Sequence, residues 1–224
     1  DDCRLCHDGK GYQYLRILSL IDSVPQTIHP TKARLIETTA QLLESALPEA
    51  IQVDEILDKS GISKGSLYHH FVDLGELLEA AQVLRYATWV DRSISLIVPV
   101  LSSAKTRDDI IEGLRVLTTY TQSSEYKATR FSRARTLANS ENSERFKKAL
   151  GAEQDRLTAA LEDLVQEAKN KGLFREELNS RVVAVFIQSY TLGKIVDDVV
   201  PEPMKQEKWD DFILNMLINT MVVH

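Results

Sequence analysis

The stretch from Val53 to Phe71, VDEILDKSGISKGSLYHHF, constrains this chain more than any other. Val53, Ile56 and Leu57 recur at helical spacing, Ser60-Gly61 breaks the pattern, and Ile62, Leu67 and Phe71 resume it on a second short helix. This predicts a helix-turn-helix. Gly61 falls just past the first helix, where a left-handed backbone is usual and the missing Cβ removes its steric cost. Ser63 follows as an N-cap whose hydroxyl accepts from backbone N–H groups of the next turn. The second helix would bury Leu67 and Phe71 and turn Lys64, Gly65, Ser66, Tyr68, His69 and His70 outward, as a helix entering a DNA major groove requires.

The rest of the chain reads as helical. Six prolines and nine glycines among 224 residues leave long stretches with neither, which favours an all-α protein over turn-rich β classes. A hydrophobic share of 43% suffices for a sizeable core. The longest apolar run, Leu96 to Leu101, holds Pro99 and falls far short of the ~20 residues of a membrane span.

Helical periodicity places Tyr14, Leu15, Leu18 and Ile21 on a short helix before Pro25. Ile36, Ala40, Leu43 and Leu47 form one face of a helix that opens at Thr31 and stops by Pro48. A long helix should begin near Asp73 and run until Pro99 and Ser102-Ser103 interrupt it. Thr106 with Asp109 makes a capping-box-like start for the next, which Ser123-Ser124 ends. A short basic helix with Lys127, Arg130, Arg133 and Arg135 is expected to be a solvated charged face, with contact to an acidic effector as the alternative. A long amphipathic helix from Ser143 then closes at Gly172. Asn179 caps a helix with Val182, Val185, Phe186 and Tyr190, Pro201 and Pro203 mark a linker, and Trp209, Phe212 and Met216 lie on the last helix. These two helices carry more apolar surface than one core would bury, so a partner should cover the rest.

With its flanks, Thr31-Lys32-Ala33-Arg34 before it and the Glu76-Leu77-Leu78 helix after it, the opening stretch resembles the DNA-binding domain of the TetR family of bacterial one-component repressors. The core G-[IV]-S-x-G-[ST]-L-Y-x-H-F is present as Gly61, Ile62, Ser63, Lys64, Gly65, Ser66, Leu67, Tyr68, His70 and Phe71. The resemblance implies a homodimer that reads a palindromic double-stranded DNA operator under control of a small-molecule effector held in a helical domain. It implies DNA contacts from Thr31, Lys32, Gln52, Ser63, Lys64, Gly65, Ser66, Tyr68 and His69. Tyr68 and His69 would donate to phosphate, Lys64 and Ser66 would reach base edges or phosphate, and Gly65 would let the backbone approach the groove. It also implies a four-helix dimer interface with Phe186, Tyr190, Phe212 and Met216, and an effector pocket with Trp89, Tyr120, Phe131 and Phe146. The chain departs from the family at Gln52, where a Thr or Ser usually caps and touches phosphate, and at Leu74, where a Lys usually meets the backbone. Leu47 replaces a usual Gly and Leu57 a usual Ala.

Charge runs against a backbone-driven DNA binder. The whole chain carries −6, and from Thr31 to Gln82 four basic residues face nine acidic ones, a local balance of −5. The alternative reading is therefore a dimeric helical binding or adaptor protein of the same fold that has lost DNA.

Two further motifs compete. Cys3-Arg4-Leu5-Cys6-His7 matches the C-x-x-C-H of c-type haem attachment, and Gly61-Ile62-Ser63-Lys64-Gly65 matches the G-x-S-x-G nucleophile elbow. Haem attachment needs export, for which no signal-peptide pattern appears, and the elbow needs a parallel sheet that nothing in the sequence predicts. No catalytic residue, metal site or cofactor is expected. The division read from the sequence is an N-terminal extension over 1–30, a helix-turn-helix domain over 31–78, and a helical ligand-binding and dimerisation domain over 79–224, in a cytoplasmic protein without a membrane partner.

Overall fold

The computed structural model describes residues 28–223, which form two compact units, one through Asp91 and one from Arg92. The expected helix before Pro25 and the C-x-x-C-H motif lie outside the described residues. Those residues are helical, with no strand beyond one isolated bridge.

The first unit starts with α1 (Pro30–Leu42), where proline takes an N-terminal position that needs no N–H donor. α1 is shorter than its periodicity suggests. Glu44 N–H bonds Gln41 O and Ser45 N–H bonds Leu42 O, i to i−3 contacts that tighten the chain into a turn. The turn takes Leu47 off the helical face that Ile36 and Leu43 share, and it stands 49% exposed rather than in the core.

After a single 3-10 turn (Pro48–Ala50) come α2 (Val53–Ser60) and α3 (Lys64–His70). Gly61 adopts φ 66° between them, and its N–H bonds Leu57 O at 2.8 Å. Leu35, Leu42, Ile51, Ile56, Leu67, Phe71 and Leu77 make the core that holds these helices together.

α4 (Leu74–Ser102) follows with a reciprocal cap: Asp73 Oδ1 accepts from Glu76 N–H, and Glu76 Oε2 accepts from Val72 N–H, both at 2.7 Å. Pro99 does not stop α4, contrary to expectation. Its missing N–H forgoes one bond, to the carbonyl of Ser95 four residues back, and the helix runs on to end at Ser102, where the Ser102-Ser103 pair was expected to interrupt it.

In the second unit α5 (Arg107–Gln122) opens with the full capping box of Thr106 and Asp109. The three hydrogen bonds to Asp109, from Lys105 and Thr106, hold its carboxyl below the usual range. Gly113 permits close approach to the end of α4: a Cβ there would lie 3.1 Å from Leu101 Cδ2 and 3.3 Å from Val100 Cγ1.

α6 (Lys127–Asn139), α7 (Glu144–Asn170), α8 (Ser180–Gly193), α9 (Ile195–Asp198) and α10 (Gln206–Met221) complete the unit. α7 packs along α8, and α10 along α5. Ile110, Leu114, Val165, Phe174, Val183, Ile213 and Leu217 belong to one core. Gly172 closes α7 at φ 70°, and Phe174 then bridges Val222 antiparallel, with Arg175 N–H on Met221 O and Val223 N–H on Leu173 O.

The basic helix α6 is not the solvated face expected of it. Arg130 is fully buried and Arg133 nearly so, with only Arg135 of the three exposed. Arg130 donates Nε to Asp198 Oδ2 at 2.5 Å and Nη2 to Oδ1 at 2.9 Å, while Nη1 reaches the carbonyls of Thr121 and Ser123. A buried guanidinium persists only with such complete pairing, and its partner lies 68 residues away.

Candidate nucleic-acid interface

Leu67 orients α3. It is fully buried beside Phe71 and Ile56, which turns the opposite face of the two-turn helix outward. Lys64, Gly65, Tyr68 and His69 share that face at i, i+1, i+4 and i+5, all exposed, with Ser66 half-buried at its margin. A Cβ on Gly65 would meet nothing within 4 Å, so its smallness serves no packing need inside the unit.

Ser63 is the N-cap the sequence suggested. Its Oγ accepts from Ser66 N–H at 3.2 Å and hydrogen-bonds Ser66 Oγ at 3.1 Å, which commits both hydroxyls to the helix start. This is the role of the serine in the G-x-S-x-G sequence. Ser60 Oγ accepts from Ile62 N–H at 3.3 Å on the other side of Gly61, so side chains flank the turn on both sides.

Thr31 and Lys32 lie at the start of α1, half-buried. The Lys32 ammonium sits 5.0 Å from the centroid of the Phe71 ring, which ties the start of α1 to the end of α3. Gln52 is exposed at the N-cap of α2 and makes no side-chain cap bond, as its departure from Thr or Ser implies.

Sequence reasoning missed His29. It caps α1 through Nδ1, which accepts from Thr31 N–H at 3.2 Å, and its ring lies 4.9 Å from that of His70. Histidine is not among the usual N-cap residues; Pro30 directly after it was the available signal. Burial first, then the charges of His29, His69 and Lys32, lower the pKa of His70.

The four aromatics named for an effector pocket lie one each on α4, α5, α6 and α7. Trp89 packs against Tyr86, Tyr120 against Tyr126, Phe131 lies under the Lys127 ammonium, and Phe146 is buried. Tyr120 borders an open groove of about 580 Å³ with Glu112, Arg115, Val116, Thr119 and Gln206. Of the four residues named for a dimer interface, Phe186 and Phe212 are exposed, whereas Tyr190 and Met216 pack against the unit's own core. Among the described residues no cluster of His, Cys, Asp or Glu is arranged to hold a metal, and no helix is long and apolar enough to cross a membrane.

Residues 35–81 match the family of bacterial regulatory proteins, tetR family. No curated protein matches the chain. Solved structures with the same fold include a TetR-family transcriptional regulator from Mesorhizobium loti, at 15% identity and TM-score 0.65 over 86% of this chain and 97% of that one. Reduced NemR of Escherichia coli aligns at 18% identity and TM-score 0.60, over 88% and 99% of the two chains. A transcriptional regulator from Saccharomonospora viridis, solved in complex with choline, aligns at 15% identity and TM-score 0.61, over 86% and 98%. Residues 35–81 thus carry the sequence pattern of the tetR family, and the described residues as a whole share the fold of these solved transcriptional regulators.

Proposed function

We propose that the protein is a ligand-responsive transcriptional repressor that binds a palindromic operator as a homodimer. The observation that carries this reading is the outward face of α3, where Lys64, Tyr68 and His69 stand exposed opposite a fully buried Leu67. An ammonium, a phenol and an imidazole on one helix face supply donors for phosphate oxygens and base edges. With few cations to neutralise phosphates, the slope of log affinity against log salt should be shallow.

Homodimerisation is supported by the apolar stripe Val182, Val185 and Phe186 on α8 and by Phe212 on α10, with Val182 66% and Phe212 62% exposed. A pair of helices from each subunit would bury an interface on the order of 2,000 Å² or more. Two-fold symmetry then calls for half-sites about one helical turn or more apart. An effector bound among the helices of the second unit would act through α4, which starts at Leu74 and continues past Asp91. A preference of ~1–3 kcal/mol for one head spacing loosens the operator about 5- to 150-fold. The choline bound to the Saccharomonospora viridis regulator is an instance of a small molecule on this fold.

A second reading, an adaptor that has lost DNA, is favoured by the balance of −5 and by the uncapped Gln52. Selection of bound fragments from genomic DNA separates the two. A recovered palindrome whose binding is lost in Lys64→Ala/Tyr68→Ala establishes the repressor face; no enrichment of any fragment establishes the adaptor.

A further inference from the structure

Three imidazoles form a row at the end of the recognition helix. His29 and His70 have ring centroids 4.9 Å apart, and His70 and His69 5.1 Å apart. Because His29 Nδ1 accepts from Thr31 N–H, its neutral ring carries the proton on Nε2 and keeps that donor available. The charged and titratable groups that bear on the central His70 are His29 and Lys32, from α1 and its cap, and His69 on its own helix. Among the described residues none of these neighbours is a carboxylate. Burial and these neighbours together lower the pKa of His70 and so favour its neutral ring in the free protein.

We propose that this row is a proton-linked phosphate clamp: one proton is taken up at His70, between the other two rings, when DNA is bound, and affinity for DNA rises as pH falls. The proposal rests on the reading of α3 as the DNA-contacting face. His69 follows Tyr68 on that face, and His29 lies two residues before Thr31 at the start of α1, so the row joins the two elements that resemblance assigns to the DNA backbone. A domain with a balance of −5 is short of fixed cations, and a proton on His70 would supply one.

Duplex phosphates, about one negative charge per ~1.7 Å of axis, favour the imidazolium and oppose the burial and mutual repulsion that disfavour it in the free protein. The sign follows from linkage. The bound state holds the proton more tightly than the free state, so affinity is flat above the bound-state pKa, climbs as pH falls between the two values, and levels off below the free-state value. Rings about 5 Å apart repel a second proton once the first is on, so uptake of about one proton and a gain of up to ~10-fold per pH unit is expected.

The test is fluorescence anisotropy of a labelled random-sequence DNA duplex titrated with the full-length protein, at one low salt concentration, between about pH 8 and pH 6. Wild type should tighten roughly five- to tenfold per unit over part of this range, and its salt slope should steepen by about one counterion at the acid end. The triple variant His29→Asn/His69→Gln/His70→Gln, checked for native helicity, should bind with no such trend; the two histidines it retains, His7 and His224, serve as the internal control. His70→Gln alone, at a half-buried position, should lose the pH trend even if the triple variant does not fold. Binding by wild type that is independent of pH, or a trend that survives the triple variant, overturns the clamp while leaving the DNA-binding reading in place. Absence of binding at every pH overturns both.

Discussion

Removing Asp198 should be among the most damaging single changes in the second unit. Arg130 is fully buried and Asp198 6% exposed, and they form a two-pronged pair, with Arg130 Nη1 also satisfying the carbonyls of Thr121 and Ser123 beside the end of α5. Asp198→Ala leaves a buried guanidinium uncompensated, a loss of ~3–5 kcal/mol. At roughly 2–4 °C per kcal/mol for a chain of this size, the Tm should fall by about 6–20 °C. Arg130→Met should cost at least as much, because it strands the carboxylate and also takes donors from two carbonyls. Arg130→Met/Asp198→Leu removes both charges and should recover ~2 kcal/mol or more relative to the sum of the singles, leaving chiefly the orphaned carbonyls as its deficit. Urea unfolding of all four proteins at one chain concentration measures the cycle, since self-association would make stability depend on concentration. A loss below ~1 kcal/mol in Asp198→Ala, or single losses that simply add in the double variant, would refute the reasoning.

Gly65→Ala should leave urea stability within ~0.5 kcal/mol of wild type or slightly raised, because its Cβ meets nothing in the unit, yet weaken DNA binding measured by anisotropy. Gly61→Ala should instead cost about 1 kcal/mol in urea unfolding: its Cβ has ordinary room 3.7 Å from Arg34 Nη2, but φ 66° strains any L side chain. Phe186→Glu or Phe212→Glu should turn a sedimenting dimer into monomer, and a wild type that sediments as a stable monomer would remove the basis for the dimer. Burial raises the pKa of Asp210 more than its hydrogen bonds with Gln206 and Thr119 lower it. A carboxyl whose folded pKa is raised favours folding at acid pH and loses that advantage as pH rises through the folded value, so Asp210→Asn should be more stable than wild type at pH 7, with the gain shrinking through the carboxylate range.

What the sequence disclosed were features whose cause is local. Gly61, the Thr106–Asp109 box and the Asn179 cap each act within four residues, and each stands where the pattern put it. The burial of Leu67 and Phe71 was readable because helical spacing leaves them no other face. Arg130 was misread for the opposite reason: nothing near it marks a partner 68 residues on, and a run of basic residues at helical spacing looks the same whether solvated or paired inside. Leu47 kept the helical period on paper, but the i to i−3 bonds after Leu42 ended the helix before the period reached it. At the site, the outward positions of α3 follow from the pattern alone. His29 does not, since it joins them only through the fold that brings the start of α1 to the end of α3.

The helix α3 is seven residues long. Isolated helices shorter than ~12–15 residues are marginal in water, so α3 has no existence as a helix apart from the packing of Leu67 and the turn at Gly61. Its reading surface is therefore a property of the unit's cooperative folding and not of the segment that bears it. Peptides cut from Ser63 to Phe71 would carry Lys64, Tyr68 and His69 and hold none of them in register. Any local opening that frees Leu67 removes the outward face of α3 at once, so that face lasts only as long as the core around Leu67 stays closed.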